Sequence, residues 1–412
     1  MKVKFQQNRW YNEEPVTIDL PDEWDVHIAE MNGDKLPVLT QEQIREKIEN
    51  GYGASLKELA KGKKRVVILF DDISRPTPVK NIAEIVLMKL HEAGVSKDSI
   101  IFICALGMHG AHTRIEFVKK LGDEIVREYP VFNHNPYENC VYVGKTMRGT
   151  EVEVNAEVMK CDLKIGIGSI VPHPYVAFGG GSKIIMPGVS SVDSIEQNHN
   201  ITKFNVTNPS SDPYSMLANI DNKEMREDVE EAAKLAGLDF KIDALLNTKC
   251  EIVGLYAGNP IEEYYAAVPM ASEVYKTEEF EKVDICIANA NAKSSEALTA
   301  KLLGVKYTKK GGDVVIINHC IAGQVPHYLV GPFGLETKAR MFNFPKKAED
   351  INNIIIYTPY PDYSSGMTFG IPEQIKWAST WEQVLEILGK RNTRAKVAVI
   401  KDATLQYFKK CS

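Results

Sequence analysis

Arg65-Val66-Val67-Ile68-Leu69-Phe70-Asp71-Asp72-Ile73-Ser74-Arg75-Pro76-Thr77-Pro78 is the stretch on which the fold turns. The apolar run from Val66 to Phe70 has no polar interruption, which suits a strand buried on both faces rather than one with a solvated side. It ends in two carboxylates. A loop follows in which Pro76 and Pro78 restrict the backbone, and from Val79 to Glu92 apolar residues return at helical spacing. Strand, polar loop and helix together form the repeating unit of an α/β protein with a parallel sheet.

The same unit recurs outward from this point. Residues 99–105 form a second apolar run, ending at Gly107-Met108-His109-Gly110, and residues 163–168 form a third, running into Val171-Pro172-His173-Pro174. A second series reads as strands at 283–288, 313–318, 354–357 and 396–400, with helices at 295–303 and 381–388. Residues 208–275, richer in charge and helix formers, are expected to be helical decoration and the route between domains. The expected architecture is two α/β domains with mainly parallel sheets flanked by helices, and the active site in the interdomain cleft. Residues 1–272 plus 391–412 are expected to form the cofactor domain, and 273–390 the domain that closes over the substrate.

Composition narrows the function classes. At 412 residues, 44% hydrophobic and 25% charged, the chain has what a globular core needs. A net charge of −6 without a basic block disfavours nucleic-acid and anionic-membrane partners. Seven cysteines, none spaced as Cys-x-x-Cys, argue against a disulfide framework or a thiolate zinc site. No apolar signal core opens the sequence and no apolar run nears a membrane span, so a reduced cytoplasmic protein is expected.

Ligands of open α/β sheets sit beyond the carboxyl ends of the strands. Three such loops, 71–78, 107–113 and 170–181, are rich in His, Arg, Ser and Gly. In the first, Asp72, Ile73, Ser74 and Arg75 lie together, and a guanidinium grips a carboxylate or phosphate with two parallel hydrogen bonds. An Asp71–Arg75 surface pair and a helix cap would explain the same residues. His109 and His112 offer a general base near neutral pH, or are solvated loop residues. Gly179-Gly180-Gly181-Ser182-Lys183 lets backbone N–H groups approach an anion, although its spacing is not that of a Walker loop. Lys183 either neutralises phosphate or acts as a nucleophile. A tight turn beside a solvated lysine is the plainer alternative. The imidazole of His199 suits nickel, copper or zinc.

Taken in order, Asp72-x-Ser74-Arg75-Pro76-x-Pro78, Leu106-Gly107-Met108-His109, Pro172-His173-Pro174, Gly179-Gly180-Gly181-Ser182-Lys183, Pro187-Gly188 and Asn198-His199 resemble the nickel-dependent lactate racemase family. The resemblance spans most of residues 60–205 and weakens towards about residue 400. It implies a nickel-pincer pyridinium thioamide/thiocarboxylate mononucleotide attached covalently to Lys183, with His199 completing the nickel coordination. It implies that His109 and His173 are the catalytic acid and base on opposite faces of the substrate. Asp72, Ile73, Ser74, Arg75, Gly180 and Gly181 would cradle the cofactor. Partners would be a small 2-hydroxy acid and the cofactor-biosynthesis enzymes.

The chemistry agrees with these residue types. Removing the Cα proton of a 2-hydroxy acid is hard, because the neighbouring carboxylate stabilises a carbanion poorly. Removing hydride gives a 2-keto acid, and returning it to the other face inverts C2. That route needs a hydride acceptor, which cofactors supply, and a base for the hydroxyl proton.

One departure bears on the substrate. Where the family carries Tyr-Gln-x-x-Lys at a helix start in the second domain, this chain has Ser295-Glu296-Ala297-Leu298-Thr299. Arg75, Ser295, Glu296 and Thr299 are therefore the expected substrate contacts, with Lys293 or Lys301 as a compensating cation. Glu296 and its polar neighbours suit hydroxyl groups, which favours a sugar acid (an aldonate), with lactate or malate as the alternative. Serine capping of an ordinary helix start would explain the same residues. Outside the family, the alternative is a phosphate- or nucleotide-binding protein without nickel chemistry. A zinc hydrolase on His109, His112 and His173 lacks a spaced acidic ligand.

Overall fold

A computed structural model describes residues 1–7, 9–11, 14–201, 218, 223–327, 347–389 and 393–409. Its two six-stranded sheets are mainly parallel, as the apolar runs require. The first has the spatial order Ile252–Gly258, Phe240–Leu246, Leu163–Ser169, Val66–Asp71, Ile100–Ala105, Val131–Asn133. All neighbours run parallel except the Ile252–Gly258 edge. Val66–Asp71 is fully buried except at its last residue, because both its faces are covered. Val66, Ile68 and Phe70 pack with the Val79–Glu92 helix through Ile82, Val86 and Leu90. Val67 and Leu69 face the other way, against Ile184, Ile195 and Val229.

Chain order reverses between Val66–Asp71 and Leu163–Ser169. Such a switch point opens a crevice at the carboxyl ends of the strands. The 71–78 and 170–181 loops leave from there.

The second sheet runs Ile375–Ala378, Ile351–Tyr357, Thr308–Ile317, Val283–Asn289, Lys396–Ile400, Asp25–Ala29, all parallel. Here the switch lies between Val283–Asn289 and Lys396–Ile400, which aims the 290–297 loop outward. Buried Met31, Ile170, Phe178, Tyr264, Tyr275 and Leu405 form the seam between the two sheets.

Two sequence expectations are corrected. The region 208–275 is not only helical: between the Glu224–Ala236 and Glu262–Val274 helices it holds Phe240–Leu246 and Ile252–Gly258, two strands of the first sheet. Lys241 and Asp243 disguise the first of these, since a buried ion pair at 2.6 Å neutralises both charges. Residues 208–217 and 219–222 lie outside the described residues. The domain division also changes. Asp25–Ala29 and Lys396–Ile400 belong to the second sheet, and Val3, Phe5, Ile18, Leu20 and Trp24 pack on it. Parallel pairing of segments so far apart in the chain leaves no local signature. Residues 390–392 and 410–412 lie outside the described residues.

Among the described residues, no helix is long and apolar enough to cross a membrane.

Candidate active site

A cavity of about 330 Å³ opens where the two switch points face one another. Asp72, Arg75, His109, His173, Gly180, Lys183 and His199 line it from the first sheet's loops. Ser295, Glu296 and Thr299 line it from the second. Ile73, Ser74 and Gly181 do not line it; they hold the residues that do.

The 71–78 loop folds around Asp72. Its Oδ1 accepts the Ser74 amide at 2.7 Å and the Ser74 hydroxyl. Its Oδ2 lies 2.5 Å from His109 Nδ1. Burial alone would raise this carboxyl, but His109 and then Arg75 outweigh it and hold the group well below the usual carboxylate range. A carboxylate at Nδ1 places the neutral ring's proton there and leaves Nε2 as the accepting atom.

His173 is set the other way. Its Nδ1 accepts the Tyr175 amide at 3.1 Å, so the neutral ring carries its proton on Nε2. That atom lies 3.2 Å from Lys183 Nζ. The contact is satisfied when the uncharged amine accepts a hydrogen bond from the imidazole Nε2–H. Burial, then Arg226 and Arg75, hold the Lys183 amine well below its ordinary value. Burial and Lys183 push His173 down as well. A lysine kept neutral is a nucleophile.

His199, in the Val192–Ile201 helix, places Nδ1 2.8 Å from the Ile195 carbonyl. A proton at Nδ1 puts the neutral ring's lone pair on Nε2, the atom through which an imidazole so oriented binds a metal. Burial lowers the imidazole to about 4, which favours its neutral form. Among the described residues, no group of three His, Cys, Asp or Glu side chains is placed to hold a metal.

Two of the three glycines are required by what packs beneath them. Gly180 has φ +78°, and a Cβ there would sit 2.9 Å from Asp243 Oδ2; at Gly181, φ +57°, it would meet the Tyr264 ring at the same distance. The Gly181 amide donates to Asp243 Oδ2 at 2.5 Å. Arg226 donates to the Phe178 and Gly180 carbonyls, fixing the loop from its other end. Among the described residues, the buried Ser182 hydroxyl has no hydrogen-bond partner.

From the second sheet, residues 295–303 do not form one helix. A 3-10 turn at Ser294–Glu296 precedes the Leu298–Tyr307 helix, and neither serine caps it through its side chain. Glu296 Oε2 instead pairs with Arg75 Nη1 at 2.8 Å, while its Oε1 lies 3.4 Å from His109 Nε2. Burial would raise Glu296, yet Arg75, His109 and Lys293 lower it to about 2. Lys293 is buried and lines the cavity, whereas Lys301 does not.

His327 went unnoticed in the sequence. It lines the cavity, its ring centroid 5.3 Å from that of His109, and burial lowers it to about 3. The signal was present: Val325-Pro326-His327 repeats Val171-Pro172-His173.

A family model described as the lactate racemase N-terminal domain matches residues 11–211. A lactate racemase from Thermoanaerobacterium thermosaccharolyticum is 27% identical over 406 residues, covering 95% of this chain and 87% of that protein. A lactate racemase from Lactiplantibacillus plantarum is 31% identical over 223 residues, or 53% of this chain and 51% of that one. The solved lactate racemase apoprotein from T. thermosaccharolyticum superposes with a TM-score of 0.72 at 22% identity, covering 99% of this chain and 100% of that one. A protein from Thermotoga maritima gives 0.65 at 17% identity, with 90% and 99% covered. Both structural likenesses concern the fold.

Proposed function

We propose that this chain, a member of the lactate racemase family and an isomerase, inverts C2 of a 2-hydroxy acid in the cavity between its sheets. The carrying observation is the pair His109 and His173. Both line one cavity, and their neutral forms are complementary: with Glu296 displaced, His109 accepts at Nε2, and His173 donates there. One takes the substrate's hydroxyl proton and the other returns one, and the roles exchange for the opposite enantiomer.

The residues fit the nickel-pincer nucleotide that the family resemblance implies. Lys183 would join it, His199 would supply a nitrogen donor to nickel, and Gly179 and Gly180 with the 71–78 loop would cradle its phosphate and ribose. When bound, it supplies the hydride acceptor that the reaction needs. The chain positions the substrate, moves the hydroxyl proton and excludes water.

Lactate is the favoured substrate, supported by the two curated relatives, both lactate racemases. The sugar-acid reading keeps one observation in its favour: Ser295, Glu296 and Thr299 do line the cavity. Chiral chromatography of lactate, malate and gluconate after incubation with protein made alongside the cofactor-biosynthesis enzymes tests both readings. Inversion of C2 in none of the three by cofactor-loaded protein would contradict the proposal.

A further inference from the structure

The loop carrying Asp72, Ser74 and Arg75 is held from behind by side chains that no step above uses. Lys120, fully buried, reaches Asp71 Oδ1 at 2.7 Å and the carbonyls of Arg75 and Thr77 at 3.2 Å each. The Nε2 atom of His112 accepts the Ile73 amide at 2.9 Å. His112 is itself clamped by Asn133, whose Oδ1 accepts its amide at 3.0 Å and whose Nδ2 donates to its carbonyl at 2.8 Å. The ring stands edge-on to Phe117, with centroids 6.4 Å apart. It is not among the residues lining the cavity.

We propose that His112 is a positioning residue: in its Nδ1–H form it fixes the Ile73 amide and thereby holds the Asp72–Arg75 loop in the arrangement that orients His109. Ile73 lies between the two residues that matter. On one side Asp72 takes His109 Nδ1; on the other Ser74 returns both its amide and its hydroxyl to Asp72. A single accepted hydrogen bond from a clamped ring therefore sets the register of the whole turn.

The device responds to pH, because an imidazolium has an N–H at both nitrogens and cannot accept the amide. Asp72 and His109 face the ring from neighbouring loops, and Glu116 and Lys120 from the Arg114–Leu121 helix. Burial is the largest influence and holds His112 below the ordinary value of 6.5. The amide is thus held at neutral pH and released in acid.

The inference rests on the proposed function only for its catalytic readout. Hydrogen exchange of the 71–78 peptide in the chain alone, corrected for intrinsic rates, is followed from about pH 7.5 down to about pH 4, through and well below the ordinary histidine value that burial depresses. In the wild type the peptide should exchange about tenfold faster in acid, as expected when a locally stabilising hydrogen bond is lost. H112Q, whose side-chain carbonyl accepts the amide but does not titrate, should show no such change, and H112L should exchange fast throughout. In cofactor-loaded protein, H112L should lower kcat by about 10- to 100-fold, the scale of a small misplacement. H112Q should restore most of that.

Equal protection of the peptide in H112L and the wild type would overturn the proposal, as would H112Q behaving like H112L. If H112L fails to fold, the comparison of H112Q with the wild type still decides it. Because the exchange result needs no turnover, a chain that fails to racemise would leave this test standing.

Discussion

Arg75 and Glu296 meet at 2.8 Å across the gap between the two sheets, one from each set of strand-end loops. The guanidinium that the sequence offers for the substrate's carboxylate is therefore already engaged by a carboxylate of the protein. A 2-hydroxy acid reaching Arg75 must displace Glu296 or be taken by Lys293, the cation beside it. E296Q should accordingly lower KM for lactate by about tenfold, equivalent to ~1.4 kcal/mol. It should also reduce any turnover of aldonates, whose hydroxyls lose a charged acceptor. Initial rates on both acids check this; an unchanged KM would mean that Arg75 stays paired in the complex.

The opposite settings of His109 and His173 predict losses of similar size. H109N and H173N should each cut kcat by about 10² or more, the usual scale for general acid–base catalysis. His109 is buried on Asp72, so H109N should also lower the melting temperature by a few degrees, from the loss of about 1–2 kcal/mol. Normal racemisation by either variant would remove that residue from the proton path.

Acid should destabilise the chain through a histidine that does not line the cavity. His134 Nε2 lies 2.8 Å from the Ser190 carbonyl and its Nδ1 lies 3.2 Å from Asn155 Nδ2, a set that suits only the neutral ring. Burial pushes it to about 4. Its folded value lies below the unfolded one, so its contribution is complete above the ordinary value of 6.5 and is lost as pH falls through about 4. The stability lost over that window should approach ~3 kcal/mol, since each tenfold change in proton affinity is worth ~1.4 kcal/mol. Urea midpoints measured across it should decline accordingly. H134Q should flatten the decline, and a slope identical to wild type would show that other groups carry it.

The Lys241–Asp243 pair gives a stability prediction independent of catalysis. Lys241 and Asp243 are 1% and 0% exposed. K241M leaves a buried carboxylate uncompensated and should cost about 3–5 kcal/mol, the scale for breaking a buried ion pair. Asp243 also accepts the Gly181 amide, so the glycine loop should loosen with it. Urea unfolding measures the first effect, and a loss below about 1 kcal/mol, the level of an exposed pair, would contradict the account.

Most of the fold was legible wherever a strand was buried on both faces, because an uninterrupted apolar run such as Val66–Phe70 permits little else. Phe240–Leu246 was hidden because its two charges cancel only in three dimensions. Asp25–Ala29 was hidden because its partner lies at the far end of the chain. The site residues were legible as motifs, and ten of them line one cavity. What the motifs did not carry was pairing. Nothing in the order of residues says that Glu296 rests on Arg75, that His112 holds Ile73, or that His327 stands beside His109.

The covalent state of Lys183 tests the central claim most directly. Its neutral amine beside His173 and the Nε2 atom of His199 are the two features that suit this chain to a lysine-linked nickel cofactor. The measurement is the intact mass and nickel content of protein made together with the cofactor-biosynthesis enzymes, compared with K183A and H199A made in the same way. The account predicts an adduct and about one nickel per chain in the wild type, one for each cofactor carried on Lys183. It predicts neither adduct nor nickel in K183A, and retained adduct with reduced nickel in H199A. An adduct that persists in K183A, or wild-type protein that racemises a 2-hydroxy acid with no added mass, would contradict it.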